Sequence, residues 1–489
     1  MSPRFAVAFA ALGLFVGPGI ARADGNVTCP SPTSAASAPA PPPRAVPPPA
    51  LASRTALPTM PPQVCFAPPP PDRTCLGVHK LCDADIVVAQ RAWKYFENNY
   101  QPATGLVNAA DKYPSTTMWD VGSSLFGTIA ARELGIIDQK TFDDRITALL
   151  ATLNTMKLFK DEAPNKAYNT ATAAMSDYNN AATLGIGYSA LDLARVSSAL
   201  NALGCLHPKY APGAAHVLAR WKYCGMLSGG EMHGLYVDPT TKKESSVQEG
   251  RLGYEQYGGK VFAMLGFDQH VSASYTNPSA SSTMILGVPV PTDSRDPRKY
   301  GANNYVVTES YALDTFENGL DAINGPLVKS IYEVQKRRFQ QTGIVTAVSE
   351  DNVDRAPYFV YNTIFAAGTA WNTLTDRGAD QAALRSISTK AAFALFTINP
   401  IDAYSAKLAD AIASAYDPAR GYYSGVYESG IGYNKAITAN TNGIILEGLL
   451  YKAIGPINAV CTKCNRGLKL PVPACVAPAA TCTTCSKGG

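Results

Sequence analysis

The chain has 489 residues, a formal net charge of +4 at pH 7 and only 16% charged residues. Its basic residues are scattered instead of forming a stripe, which argues against a nucleic-acid partner. The 25 tyrosines and 5 histidines suit stacking on sugar rings better than metal chemistry. We therefore expect no nucleic acid, metal or cofactor.

Residues 1–23 are typical of a secretory signal peptide. Arg4 is followed by an apolar stretch over 5–20, and Ala21-Arg22-Ala23 supplies the small-x-small cleavage pattern. The apolar stretch is short and contains glycine and proline, and no later run reaches about 18 apolar residues. The sequence predicts an exported chain, periplasmic or extracellular, with no membrane insertion after signal cleavage.

Residues 24–74 are rich in proline and alanine and carry little charge. Such a segment cannot bury enough apolar surface to offset its ordering entropy, so we expect a disordered spacer. No comparable linker interrupts residues 75–457, which we interpret as one domain.

Helical periodicity dominates that domain, as in the apolar steps at Leu193, Val196, Leu200 and Leu203. Helices are predicted at 84–99, 118–134, 141–155, 188–204, 211–223, 248–266, 309–324, 327–340, 358–375, 385–398, 402–416 and 435–452. Twelve helices in pairs predict an all-α, (α/α)6 toroid of six hairpins, whose inner ring carries the functional residues. The alternative is an open solenoid, but no fixed repeat is present.

Three long segments separate the predicted helices, at 156–187, 224–247 and 267–308. Loops of this length in a compact domain are usually functional or disordered. Within the last of them, residues 281–291 are expected to form a short strand or β-hairpin over one mouth of the ring.

Five of the eleven cysteines lie in the tail, residues 458–489. Cys461-x-x-Cys464 and Cys482-x-x-Cys485 are compatible with a zinc ribbon, but an exported chain favours disulfides. The pair Cys205–Cys224 flanks a short helical connection and is the first pairing we expect. The terminal clusters are expected to join the two chain ends, and the odd count leaves one thiol, assigned to Cys29.

Two predicted helix starts carry an aspartate. Trp119 and Asp120 open one of them, where Asp120 either performs chemistry or complements the helix dipole. Asp192 lies three residues before Arg195, and an internal ion pair between them is the alternative to a functional role.

The stretch Gln248 to Tyr257 holds two carboxylates and two tyrosines among glycines. Glu249 either caps a helix or acts in catalysis. Glu255 lies between Tyr254 and Tyr257, where partial burial would raise its pKa toward that of a general acid.

The stretch Ser349 to Asn362 is an acidic loop opening into aromatic residues, and Thr438 to Gly443 is rich in asparagine. Capping and turn formation are the alternative roles of Asp351 and Asp354. Tyr358 and Tyr361 would contribute to a sugar platform, together with Trp119, Tyr254 and Tyr257. Asn362 and Asn440 would read sugar hydroxyls or satisfy backbone donors.

Carboxylates beside aromatic rings at the mouth of a helical toroid point to glycoside hydrolysis, in which one acid protonates the leaving oxygen and a second carboxylate activates water or attacks. No phosphate loop, dinucleotide fingerprint, zinc-protease motif or serine elbow is present. A polysaccharide lyase would need a tyrosine or histidine base, for which His233 is the nearby candidate.

Four stretches resemble the recurring motifs of a family of exported bacterial proteins with a domain of unassigned function. They are Trp119-Asp120-Val-Gly-Ser, Glu249-Gly-Arg-x-Gly-Tyr-Glu-Gln-Tyr, Ser349-Glu-Asp-x-x-Asp-Arg-x-Pro-Tyr-Phe-Val-Tyr-Asn and Thr438-Ala-Asn-Thr-Asn-Gly. This resemblance runs over most of residues 84–453.

More remotely, Leu191-Asp192-Leu193-Ala194 and Gly253-Tyr254-Glu255-Gln256 are similar to motifs of the glucoamylase-like six-hairpin families, which include inverting endo-β-1,2-glucanases. Counted from the glycine, that family's acid falls on Gln256, and one residue turns a helical side chain by about 100°.

We therefore expect a secreted carbohydrate-active protein, a glycoside hydrolase acting on a polysaccharide or oligosaccharide. Glu255 is the favoured general acid, Asp120 or Asp192 the base or water-positioning group, and Glu249 the reserve. The alternative is a non-catalytic glycan-binding or cell-envelope scaffold protein.

Overall fold

The computed structural model describes residues 81–295 and 304–477. The predicted signal peptide, the whole predicted spacer, the first residues of the predicted domain and the last residues of the tail lie outside this part of the chain. So do Cys29, Cys482 and Cys485.

Twelve α-helices are present in the described residues. They are α1 Asp83–Asn98, α2 Met118–Glu133, α3 Gln139–Thr155, α4 Ala190–Leu206, α5 Ala211–Ala219, α6 Tyr254–Met264, α7 Glu309–Asn318, α8 Asn324–Thr342, α9 Thr389–Ile398, α10 Ala403–Ile412, α11 Ala439–Ile454 and α12 Ile457–Lys463. Short 3-10 turns occur at Pro208–Tyr210, Tyr223–Gly225, Ala382–Leu384 and Ala474–Val476.

Six of these helices form a closed inner ring. Each packs against the next in the order α2, α4, α6, α7, α9 and α11, and α11 packs back against α2. Outside them, α1 packs on α11, α3 on α2, α5 on α4, α8 on α7 and α10 on α9. The predicted ring of helical pairs is thus present, and α2 and α4 are buried over almost their whole length.

In the described residues nineteen short strands join the helices, so the fold is not purely all-α as predicted. They are β1 Ser115–Thr117, β2 Ala167–Asn169, β3 Met175–Ser176, β4 Gly187–Tyr188, β5 Leu227–Ser228, β6 Glu231–Val237, β7 Glu244–Gln248, β8 Ala280–Ile285, β9 Val288–Asp293, β10 Glu350–Asn352, β11 Phe359–Asn362, β12 Phe365–Ala366, β13 Thr369–Ala370, β14 Thr373–Leu374, β15 Ser386–Ser388, β16 Tyr416–Asp417, β17 Gly421–Tyr422, β18 Gly425–Tyr427 and β19 Tyr433–Asn434. These strands pair antiparallel and form seven small sheets.

The predicted hairpin over 281–291 is confirmed, since β8 pairs with β9 in register from Ala280–Asp293 to Ile285–Val288. This hairpin packs against α8. Six helical pairs would require an outer helix between α6 and α7. In the described residues the β8–β9 hairpin lies there instead.

The helix predicted at 358–375 is wrong. This segment forms β11 to β14, because its aromatic and β-branched residues favour the pleated, half-buried surface of a sheet. The motif around Glu350 therefore lies on strands, and Glu350 and Asp351 reach the cleft from β10. The unpredicted α12 restores the count of twelve.

The middle cysteines pair with the tail. Cys205 bonds to Cys461 and Cys224 to Cys475, with Cα atoms 5.6 and 5.7 Å apart, so the predicted Cys205–Cys224 pair is wrong. The reason is that α12 packs on α4 and brings the tail to Cys205. Cys464 is also disulfide-bonded, so the sulfurs of Cys461-x-x-Cys464 are not thiolate zinc ligands.

Within the described part of the chain, no single helix combines the length and apolar composition needed to span a bilayer. Only α11 and α12 taken together reach those values, across a bend of 43°.

Candidate active site

A cleft lies where the inner helices begin. It holds about 590 Å³ of empty space and opens to solvent. Its walls are formed by Trp119, Asp120, Asp192, Tyr254, Glu309, Glu350, Asp351, Asn352, Phe359, Tyr361, Lys390, Thr438, Asn440 and Thr441.

Every inner helix contributes a side chain from its first turn. Asp120 and Asp192 are the third residues of α2 and α4, Tyr254 and Glu309 the first of α6 and α7, and Lys390 and Asn440 the second of α9 and α11. Side chains on a helix lean toward its N-terminus, so first-turn residues of helices that start at one mouth converge there. The positive ends of the helix dipoles favour carboxylates at this place.

Asp120 is fixed by the residue that caps α2. The Thr117 hydroxyl donates to its Oδ2 at 2.7 Å, and its backbone N–H lies 3.2 Å from the Thr117 oxygen. Burial raises the pKa of Asp120 to about 6, against the opposing effects of Thr117 and Lys390. This carboxyl therefore changes charge near neutral pH.

Asp192 occupies the same position behind the cap Ser189 of α4, whose hydroxyl oxygen accepts from its N–H at 3.1 Å. Its Oδ2 is buried and has no hydrogen-bond partner. Burial, reinforced by the charge of Glu249, raises the pKa of Asp192 well above its usual value. Burial thus favours the protonated form of this side chain more than it would in an exposed aspartate.

Glu249 lies behind Asp192 instead of in the cleft. It accepts hydrogen bonds from the Ser189 hydroxyl at 3.0 Å and the Leu191 N–H at 3.1 Å. Burial raises its pKa, and the buried ammonium of Lys166 opposes this effect. Asp192, Glu249 and Lys166 thus form a buried cluster in which the charges of Glu249 and Lys166 shift the pKa of Asp192 in opposite directions.

The Asp192–Arg195 ion pair considered above is absent. The guanidinium of Arg195 instead binds Glu317 at 2.5 Å and Glu447 at 2.6 Å in the centre of the ring. Asp192 is consequently not neutralised by an arginine.

Lys390 is the basic residue of the cleft wall. Its ammonium pairs with Glu309 and lies 3.7 Å from Asp351. Burial acts to lower the pKa of Lys390, but the charges of Glu309, Asp351 and Glu350 outweigh it and raise the value. Burial also raises the pKa of Glu350 and, strongly, that of Asp351.

Glu309 connects Lys390 to the opposite wall. Its Oε1 accepts from the Trp119 ring N–H at 3.2 Å and from the Asn440 amide at 2.9 Å. Among the described residues, no group of three or more His, Cys, Asp or Glu side chains has the arrangement of a metal site.

Aromatic rings form the apolar part of the cleft. Trp119 and Tyr254 meet edge to face with centroids 5.5 Å apart, and Tyr361 is stacked on Tyr305 at 3.8 Å. The buried Tyr254 hydroxyl has no hydrogen-bond partner. These rings can pack on sugar faces while hydroxyl and amide groups bind sugar hydroxyls.

Several predicted site residues lie elsewhere. Glu255 is buried in the wall, where Arg295 binds it at 2.7 and 3.2 Å and Gln248 at 2.9 Å. The Tyr257 hydroxyl donates to Glu317 at 2.8 Å, and Asn362 is bonded to Thr373 at 3.0 Å. Tyr358 lines a neighbouring groove.

His233 also lies outside the cleft. It is on β6, with its Nε2 3.9 Å from Glu231. The structure therefore brings together six predicted residues, namely Trp119, Asp120, Asp192, Tyr254, Tyr361 and Asn440.

The sequence analysis did not identify four charged residues of the cleft as functional groups, namely Glu309, Glu350, Asp351 and Lys390. Glu350 and Asp351 stood in a motif already singled out, and Glu309 begins a predicted helix. Lys390 gave no local signal, because only the closed ring places α9 beside α7.

Comparisons with known proteins give a family and a fold. Residues 87–455 match the profile of a family described as "Protein of unknown function (DUF3131)". No curated protein matches the chain.

Solved structures share the fold at low identity. An endo-β-1,2-glucanase from Chitinophaga pinensis, in complex with sophorotriose and glucose, is 12% identical with a TM-score of 0.59 over 79% of this chain and 96% of its own. A Bacteroides caccae protein provisionally named a glucoamylase is 12% identical with a TM-score of 0.58, over 77% and 95%. An endo-β-1,2-glucanase from Talaromyces funiculosus, in complex with sophorose, is 13% identical with a TM-score of 0.53, over 78% and 85%. At these identities the likeness establishes the fold, and it confirms the remote resemblance to these families.

Proposed function

We propose that this chain, which belongs to the DUF3131 family of proteins of unknown function, is an exported glycoside hydrolase. The observation that carries the proposal is the pair Asp120 and Asp192, which face one cleft from neighbouring helices. Burial raises the pKa of Asp120 to about 6 and raises the pKa of Asp192 well above its usual value. Two such groups are what acid–base cleavage of a glycosidic bond requires.

The protonated Asp192 is the general acid that donates to the leaving oxygen. Asp120, ionised above about pH 6, is the general base that removes a proton from the attacking water. The acid role passes from Glu255 to Asp192 because Arg295 holds the Glu255 carboxylate outside the cleft.

The remaining cleft residues bind and orient the sugar. Trp119, Tyr254 and Tyr361 supply ring faces, and Asn440 and the Tyr254 hydroxyl supply hydrogen-bonding groups. Lys390 holds Glu309 and Asp351 in place. The disulfides to the tail fit an oxidising, extracytoplasmic compartment.

The test is release of reducing sugar from a panel of neutral glycans that includes β-1,2-glucan. We expect Asp192→Asn to lower kcat by a factor on the order of 10² to 10⁴, the usual contribution of a general acid. Binding of the same glycan, measured by calorimetry, should persist.

Glu255→Gln is the matched comparison, because it also removes one buried carboxylate. Loss of turnover in Glu255→Gln with normal turnover in Asp192→Asn would return the acid role to Glu255. Absence of turnover on every glycan would reject the hydrolase.

A glycan-binding scaffold is the second candidate. Its support is that aromatic rings and Asn440 line the cleft, so that a sugar can be bound there without either aspartate acting on it. Tight glycan binding by the native chain without any turnover would select this function.

A further inference from the structure

The cleft continues into a second depression, here called the side groove. It lies between residues 110–113, 352–358 and 435–438 and holds about 1020 Å³ of empty space open to solvent. Asn352 and Thr438 line both the cleft and the side groove. A chain of sugars bound in the cleft can therefore extend into the side groove.

The acidic residues of the side groove are already engaged. Asp111 accepts from the Arg420 Nε at 3.0 Å and the Asn99 amide at 3.1 Å. Asp354 accepts from the Tyr427 hydroxyl at 2.7 Å, the Lys435 backbone N–H at 3.0 Å and the Arg355 Nε at 3.0 Å. Each carboxylate is thus neutralised by an arginine.

Two lysines of the side groove are not compensated in this way. Lys112 and Lys435 are exposed, and neither ammonium has an ion-pair partner in the part of the chain that the structure describes. The side groove consequently carries an excess of positive charge, whereas in the cleft Lys390 pairs with Glu309 and lies 3.7 Å from Asp351.

Two residues that line the side groove, Lys112 and Tyr358, have an unusual backbone conformation. Lys112 has φ 61° and Tyr358 has φ 69°, in the left-handed region that costs non-glycine residues free energy and recurs at ligand-binding sites. The Lys112 N–H donates to the Asn99 side chain at 2.8 Å, so the conformation is fixed by the fold. A ring and an ammonium are thereby presented to the same groove.

We propose that the side groove binds an anionic group of the glycan, a carboxylate or phosphate, while a neutral sugar occupies the cleft. Opposite charges attract, so Lys112 and Lys435 favour an anionic unit in the side groove, whereas the ammonium of Lys390 in the cleft is already engaged by Glu309. The substrate class is a glycan in which an acidic sugar or substituent neighbours an uncharged sugar. This inference rests on the proposed function and names its substrate.

The experiment compares three ligands on the full chain carrying Asp192→Asn, which prevents cleavage. They are a β-1,2-linked glucose hexamer, the same hexamer oxidised to carboxylates at some primary alcohols, and the same hexamer bearing glycerol through phosphodiesters. We expect an anionic hexamer to bind about three- to tenfold more tightly than the neutral one at low salt, from two exposed charge pairs. The preference should shrink as salt is added.

Lys112→Gln with Lys435→Gln should abolish this preference, and Lys407→Gln, on the exposed face of α10, should keep it. Preference for the carboxylate or for the phosphodiester alone supports the inference and identifies the anion. Equal binding of all three ligands, or a preference that survives loss of both lysines, overturns it and leaves the hydrolase intact. Failure of every hexamer to bind overturns it as well, and the separate turnover assay then decides the hydrolase.

Discussion

Burial determines the proton affinity of the two aspartates that face the cleft. Both stand three residues after a hydroxyl cap, in Thr117-Met-Trp-Asp120 and Ser189-Ala-Leu-Asp192. A helix N-terminus favours an ionised carboxylate, yet desolvation outweighs this effect and raises the pKa of both. Asp192 is raised further because Glu249 adds a negative charge behind it.

The expected pH dependence follows from these two groups. Turnover should rise through about pH 6 as Asp120 loses its proton, and fall at higher pH as Asp192 loses its own. Glu249→Gln removes the negative charge that raises the pKa of Asp192, so the alkaline limb should move to lower pH. Initial rates across the pH range measure both limbs.

Glu97→Gln, an exposed change on α1, is the control and should leave both limbs in place. An unchanged alkaline limb in Glu249→Gln would show that Glu249 does not set the protonation of Asp192.

At the scale of the element, the start of α6 decides which residue enters the cleft. The predicted helix at 248–266 begins only at Tyr254, because β7 ends at Gln248 and Gly250 and Gly253 adopt φ of 91° and 106°. Tyr254 therefore lies in the first turn and lines the cleft. Glu255, turned by about 100°, enters the wall and meets Arg295.

Gly253→Ala should displace this helix start. An added Cβ would lie 2.5 Å from the Ser310 Oγ on α7 and would be held at a positive φ. We expect a loss of about 1–3 kcal/mol in the free energy of unfolding, measured by denaturant titration, with a parallel fall in glycan affinity.

Gly325→Ala is the matched control, because nothing lies within 4 Å of an added Cβ there. It is the second residue of α8, and alanine is favoured over glycine in helices by up to about 1 kcal/mol. Equal stability of the two variants would show that the left-handed turn at Gly253 is not required.

At the scale of the whole molecule, the two ends of the ring of helices differ. The cleft opens at the end where the inner helices begin, and residues of the tail pack at the end where α4 finishes. The Asn458 side chain of α12 accepts a hydrogen bond from the Asn201 amide at 3.2 Å and donates one to the Asn318 side chain at 2.9 Å. Helix α12 therefore bridges α4 and α7. The Leu468 N–H donates to Asn201 at 2.8 Å. The Cys205–Cys461 disulfide fixes this closure over 256 residues of sequence.

Replacing Cys205 and Cys461 together by serine should lower the free energy of unfolding by about 2–5 kcal/mol, because the unfolded chain regains the entropy of a long loop. Denaturant titration of the oxidised proteins measures this difference. When both proteins are fully reduced, the difference between them should disappear, because Cys224–Cys475 is broken in both. A variant as stable as the oxidised native chain would show that packing alone holds the tail.

Local signals in the sequence predicted the inner helices well. The apolar steps of Leu193, Val196 and Leu200 identify α4, and each of them is buried. The segment 358–375 failed because a short run of aromatic and β-branched residues does not distinguish a strand from a buried helix.

By itself, the sequence determined that helices dominate, where α2 and α4 begin, and that Asp120 and Asp192 stand at those starts beside aromatic residues, because caps and periodicity act over a few residues. Only the tertiary structure decided that Glu309 and Lys390 meet, that Arg295 holds Glu255 out of the cleft, and that the middle cysteines pair with the tail. These contacts join residues from 40 to 256 positions apart, and their geometry is defined only when the ring closes.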